Sequence, residues 1–135
     1  MQKLITNPLT ADMRRLVQEA HQHVGEFQLS QEWTVAGAVA SALRTGQGHI
    51  YTGICGELLC GIGFCAEHAA VASMLKARET RIESIVAVAK RGIVPPCGRC
   101  REMLIQVNEA NALTQVILAD NEWVVLSALL PAHWL

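Results

Sequence analysis

The chain has 135 residues, a formal net charge of −1, 51% hydrophobic and 17% charged residues, and five cysteines; its mean hydropathy is +0.26. Residues 1–135 make one domain at this length, and eleven basic against twelve acidic residues provide no field for a phosphate backbone, so polymeric nucleic acid is not an expected partner. An average soluble domain is about 25% charged, and no run here approaches the ~20 apolar residues of a membrane span, so the apolar excess points to surface buried in an oligomer.

Lys3 is followed by polar residues and Pro8 rather than an apolar leader core, and the chain reads as a cytoplasmic protein. Thr10 to about Val24 places Met13, Leu16, Val17, Ala20 and Val24 at helical spacing, with Thr10 as N-cap. Trp33 to Leu43, the turn Thr45-Gly46-Gln47-Gly48 and His49 to Ile54 form a β-hairpin. A glycine-bearing loop from Cys55 to Phe64 leads into a helix from Cys65 to about Glu79, which is rich in good helix formers. Ile82 to Ala89 reads as a strand, and Gly98 to Val107, after Pro95-Pro96, as a third helix. Gln115 to Ala119 and Trp123 to Leu126 are short strands around Asp120-Asn121-Glu122, and a helical turn begins near Ser127. This order predicts an α/β domain of three layers, α/β/α, with a mixed sheet of about five strands.

Cytoplasmic thiols stay reduced, so the cysteines are metal or catalytic candidates rather than disulfides. Cys65 opens one helix, and Cys97 and Cys100 lie on the first turn of another. Unpaired amides and the macrodipole at a helix N-terminus favour thiolates. A Cys-x-x-Cys pair plus a third Cys from a second helix makes a three-thiolate set that leaves the fourth position of a tetrahedral Zn²⁺ to water. Glu67, two residues after Cys65, is placed as a general base beside it, worth roughly 10²–10⁴-fold, which gives the site a hydrolytic character. A different class stays open: Cys65, His68, Cys97 and Cys100 nominally make a closed structural zinc site without activity. The 28 residues between the two halves exceed the usual 15–20 of a zinc ribbon.

Cys65-Ala66-Glu67 followed by Pro96-Cys97-Gly98-Arg99-Cys100 resembles the zinc signature of the cytidine deaminase superfamily. Trp33 to Ala38, Tyr51-Thr52-Gly53, Arg101 and Leu129-Leu130-Pro131 extend the resemblance over most of the chain, and Arg91 to Cys100 is most similar to the blasticidin S deaminases. The resemblance implies a homotetramer, or a homodimer, with Zn²⁺ on Cys65, Cys97 and Cys100. It implies hydrolytic deamination of the cytosine moiety of a small nucleoside, with Glu67 shuttling protons and the Ala66 carbonyl meeting the departing amine. Cytidine or deoxycytidine is the first expectation, and blasticidin S the alternative. Cys55-Gly56-Glu57 stands where the family has Asn-x-Glu, which holds the ribose 3′-hydroxyl; Glu57 keeps half of that pair. His68 stands where many relatives carry an Arg that donates to the thiolates, and the site is expected to depend more on Arg101 and helix amides. In the blasticidin-type reading Arg91 pairs with a substrate carboxylate. Trp33 and Trp134 are expected at core or interface positions, or at a substrate pocket by resemblance. Cys60 is expected as a small buried hydrophobe.

Overall fold

The computed structural model describes residues 3–135. Helix α1 (Ala11–His21) starts where Thr10 Oγ1 accepts from the Met13 amide at 3.2 Å, satisfying one of the orphan donors of the first turn. It stops three residues before the expected Val24. The Gly25 amide is claimed instead by the Gly37 carbonyl at 2.9 Å, and strand β1 (Phe27–Gln28) pairs with the long strand β2 (Val35–Thr45). Strand β3 (Ile50–Glu57) completes the hairpin with β2 and runs three residues past the expected Ile54, so Cys55 and Glu57 are sheet rather than loop residues.

Helix α2 (Ala66–Lys76), strand β4 (Ile82–Ala89), strand β5 (Gly92–Val94), helix α3 (Gly98–Val107), strand β6 (Gln115–Ala119) and strand β7 (Glu122–Val125) follow. Short 3₁₀ turns occupy Glu109–Leu113 and Leu126–Ala128. The sheet has seven strands, five of them in the main path β1-β2-β4-β6-β7, with β3 on β2 and β5 on β4. Ala40 pairs with both Ile54 and Val88, which puts β3 and β4 on opposite edges of β2. β4 and β6 are parallel, and the other pairings are antiparallel. The sheet is therefore mixed, as expected, with two short strands more than the sequence predicted. Two or three residues are too few to show an alternating pattern.

Each face of the sheet buries its own core. Met13, Leu16 and Ala20 of α1 pack on Ala40, Ala42, Val86, Val88 and Ile117. Ala70, Val71 and Met74 of α2 and Leu104 and Ile105 of α3 pack on Leu43, Ile85 and Val116 from the other side. The result is the predicted α/β/α layering. Alternation along β4, with Val86 and Val88 facing α1 and Ile85 facing α2 and α3, follows from the two-residue repeat of a strand.

Gly53 sets the spacing between α2 and the sheet. A Cβ at this position would lie 2.4 Å from the Ala70 nitrogen and 2.6 Å from Ala69 Cβ, so the helix rests on bare backbone. The far end of α2 is tied by Glu79. Arg78 takes a left-handed φ of 67° and ends the helix before the expected Glu79. This frees the buried Glu79 carboxylate to accept from the Tyr51 hydroxyl at 2.5 Å and to pair with His49 Nδ1 at 3.0 Å. At the end of α3, the fully buried Asn111 accepts from the Ile82 amide at 2.9 Å and donates to the Leu104 carbonyl at 2.9 Å, joining helix to strand.

Two outcomes test this description. Gly53→Ala overpacks the α2–β3 contact and should lower stability by about 1–3 kcal/mol in urea unfolding; an unchanged midpoint would mean that α2 does not lie this close. The Tyr51 hydroxyl first, then Thr45 and His49, hold the Glu79 carboxyl below the ordinary carboxylate range. A depressed folded-state pKa adds stability above the unfolded value and loses it as pH falls. The stability lead of the parent over Glu79→Gln should therefore shrink below about pH 4, and a pH-independent difference would refute the role of the charge.

Candidate metal centre and active site

Cys65 is the N-cap of α2 and Cys97 the N-cap of α3, both with extended backbone and neither using its side chain to cap the helix. Their sulfurs are thus available to each other. Cys65 Sγ lies 3.6 Å from Cys97 Sγ, which lies 3.5 Å from Cys100 Sγ, and all three fall within 4.8 Å of one another. Thiolates bound at about 2.3 Å in a tetrahedral set stand about 3.8 Å apart. The spacing fits a Zn²⁺-sized ion, and the three sulfurs form a group that can hold a metal.

Burial pushes the Cys97 thiol up, but the amides of Cys100 and Arg99 and the neighbouring thiols outweigh it and bring the pKa below its ordinary value. This is the helix N-terminus acting as a thiolate trap. Burial raises the Cys65 thiol, and burial followed by the charge of Glu67 raises Cys100 strongly. A cation among the sulfurs reverses that cost, since a coordinating thiol is deprotonated outright.

Glu67 sits in the first turn of α2 and is only 5% exposed. Burial raises its carboxyl pKa, opposed in part by its own amide and by Cys100. An upward shift makes the carboxyl a better proton carrier. Glu67, Cys65 and Cys97 line a cavity of about 520 Å³, within the range of small-molecule sites. Val39, Leu58, Phe64, Val94 and Pro95 give it apolar walls. A buried acid, three convergent sulfurs and an adjoining cavity make a site suited to metal-assisted hydrolysis of a small molecule.

No family model matches the chain. Among solved structures, cytidine deaminase from Mycobacterium tuberculosis is similar at 24% identity with a TM-score of 0.76, over 93% of this chain and 98% of that one. Cytidine deaminase from Burkholderia pseudomallei matches at 24% identity and TM-score 0.73, over 93% and 100%. The Mycobacterium leprae cytidine deaminase matches at 20% identity and TM-score 0.74, over 91% and 100%. This chain has the cytidine deaminase fold.

Within that fold the cavity gathers Cys55, Glu57, Cys65, Ala66, Glu67 and Cys97 of the residues singled out from sequence. Cys100 is buried behind it. Cys55 Sγ accepts from the Val39 amide at 3.3 Å, opposite the irregularity in β2 between Ala36 and Ala40. Its sulfur thus supplies an acceptor where the ladder is interrupted. Arg101 donates from Nε to the Pro96 carbonyl at 2.9 Å and from Nη1 to the Leu129 carbonyl at 3.2 Å. It ties the segment before Cys97 to Leu129 through these backbone carbonyls.

Other residues stand elsewhere. His68 lies in a separate shallow groove with Arg99, Glu102 and Met103 and outside the three-sulfur group. As the sulfurs stand, His68 is not grouped with them as a fourth ligand, and burial and then the charge of Arg99 lower its pKa, which disfavours a cation there. Arg91 is exposed in the two-residue turn between β4 and β5, and Trp33 and Trp134 are 60% and 88% exposed. None of these three lines the cavity within one chain. Cys60 is exposed at a left-handed φ of 60°, not buried as expected, because it occupies the turn of the Leu58–Phe64 loop. Sequence reasoning missed Val39, Phe64 and Arg99 as cavity residues. Only the position of Arg99 inside the Cys-x-x-Cys turn could have drawn attention to it.

The geometry predicts metal stoichiometry directly. The purified protein should carry about one Zn²⁺ per chain by elemental analysis, Cys97→Ala should lose it, and His68→Ala should retain it. Loss of metal in His68→Ala would restore the closed structural site.

Proposed function

We propose that the chain is a zinc-dependent aminohydrolase that deaminates the cytosine moiety of a free nucleoside, cytidine or deoxycytidine, to the uracil product with release of ammonia. The observation that supports this most is the buried Glu67 close to three convergent sulfurs, two of which line a cavity of small-molecule size. Cys65, Cys97 and Cys100 would hold Zn²⁺, which when bound lowers the pKa of water from 15.7 to about 7.

The chain's own groups do the rest. The apolar walls of Phe64, Leu58 and Val39 enclose the pyrimidine and exclude bulk water. Glu67 removes a proton from the attacking water and delivers it to ring N3, which makes C4 electrophilic. It then takes the proton of the new C4 hydroxyl and passes it to the exocyclic nitrogen, so the tetrahedral carbon collapses to the C4 carbonyl with loss of ammonia. The Ala66 carbonyl accepts from the leaving amine, and Glu57 at the end of β3 reaches the sugar hydroxyls.

Blasticidin S is the alternative substrate, in an antibiotic-inactivating aminohydrolase with the same chemistry. The assembly in this reading is a homotetramer, or a homodimer, supported by the exposed apolar side chains of Phe27, Trp33, Leu59, Ile62 and Trp134. A cytoplasmic location accords with five free thiols. No described helix is long and apolar enough to cross a membrane.

Ammonia release should be seen from at least one of cytidine, deoxycytidine and blasticidin S, and Glu67→Gln should lower kcat about 10²–10⁴-fold while keeping its zinc. Full turnover by that variant, or no turnover of any cytosine compound by the zinc-loaded parent, would defeat the proposal.

A further inference from the structure

Strands β1 and β4 share the edge of β2 that lies away from β3, at different stretches: β1 pairs with Val35 and Ala36, and β4 pairs from Val39 onward. Gly37 and Ala38 fall between them without a partner in any ladder. This break in the sheet opens into a second cavity of about 330 Å³, lined by Val24, Gly25, Glu26, Ala38 and Lys90, at the lower end of the range for small-molecule sites. It shares no lining residue with the cavity that holds Glu67. Its wall is preformed by backbone. The Gly25 amide donates to the Gly37 carbonyl at 2.9 Å, and Gly37 takes a left-handed φ of 83° where a Cβ would stand 2.4 Å from the Gly25 oxygen.

Val24 and Ala38, both half-buried, give this cavity its apolar surface. The two other side chains carry opposite charges: Glu26 just precedes β1, Lys90 just follows β4, and both are exposed. Opposite charges on one small cavity are expected to pair, yet neither forms an ion pair with the other or with any described residue. An apolar surface flanked by one free anion and one free cation complements a molecule with an apolar body and the same two charges. We propose that this break in the sheet is a second ligand site, which takes a small zwitterion: a free apolar amino acid or a short apolar peptide, its carboxylate on Lys90 and its ammonium on Glu26. A neutral nucleoside has neither charge, so the inference goes beyond the deaminase reading and does not rest on it. No thiol, hydroxyl or imidazole lines the cavity, and the site holds its ligand without transforming it.

The test is calorimetric titration of the purified parent, Lys90→Gln and Glu26→Gln with four probes: leucine, alanyl-leucine, 4-methylpentanoate, which keeps only the carboxylate, and 3-methylbutylamine, which keeps only the ammonium. Both substituted side chains are exposed, so each variant should unfold at the temperature of the parent. At least one zwitterion should bind the parent about 3- to 5-fold more tightly than either singly charged probe, the range of an exposed ion pair. Lys90→Gln should lose a similar factor on the zwitterions and on 4-methylpentanoate but none on 3-methylbutylamine, and Glu26→Gln should show the reverse pattern. The tighter of leucine and alanyl-leucine identifies amino acid or peptide as the natural source. Absence of binding by every probe at millimolar concentration, zwitterions no tighter than the singly charged probes, or losses that do not follow the charge removed would each overturn the inference.

Discussion

The absence of a methyl group at residue 53 governs how closely α2 lies on the sheet, and the site depends on that contact. Because α2 rests on the bare backbone of β3, its N-terminus meets that of α3 at sulfur-to-sulfur distance. Glu67, in the first turn, is buried close to the sulfurs. A helix held further off the sheet would shift Cys65 relative to the Cys97–Cys100 pair. The site is therefore a property of helix packing, with each ligand riding on an element fixed by the core.

Packing brings together groups that repel one another as anions. Burial holds the Glu67 carboxyl above its usual range, burial and then the charge of Glu67 hold the Cys100 thiol above its own, and the α3 amides help to bring Cys97 below. The protein spreads this load unevenly: one sulfur is ready to be a thiolate, one is buried, and the acid is prepared to carry a proton. Such spacing of pKa values separates ligand from proton carrier without a change of residue type.

Much of this was legible in the sequence because the signals were local. Thr10 as a cap, Cys-x-x-Cys on a first turn and the Cys65-Ala66-Glu67 triplet each state a geometry within four residues. The α/β/α layering followed from element order. What was not legible depended on tertiary direction. Strands of two and three residues, Phe27–Gln28 and Gly92–Val94, exist because a longer neighbour offers an edge. His68, three residues after Cys65, and Arg99, next to Cys100, both lie close to the sulfurs in sequence, yet only Arg99 lines the cavity, while His68 borders the adjacent groove. Trp33 and Trp134, plausible by position, project from the surface of the single chain.

Glu79 leaves its helix through the left-handed Arg78 to meet Tyr51, and this bears on how the cavity can adapt. α2 is a beam fastened at both ends, by the sulfur cluster at one and by the carboxylate at the other, with Gly53 as the seat between them. A fastened beam passes strain along rather than absorbing it. Accommodation of ligands of different size therefore falls to the turn from Leu59 to Ile62, whose exposed side chains carry little packing within one chain, while Phe64 stays tied to Gly56 by two backbone hydrogen bonds. Rigidity on the chemical side and compliance on the opposite wall let one centre keep its geometry while the entrance is retailored.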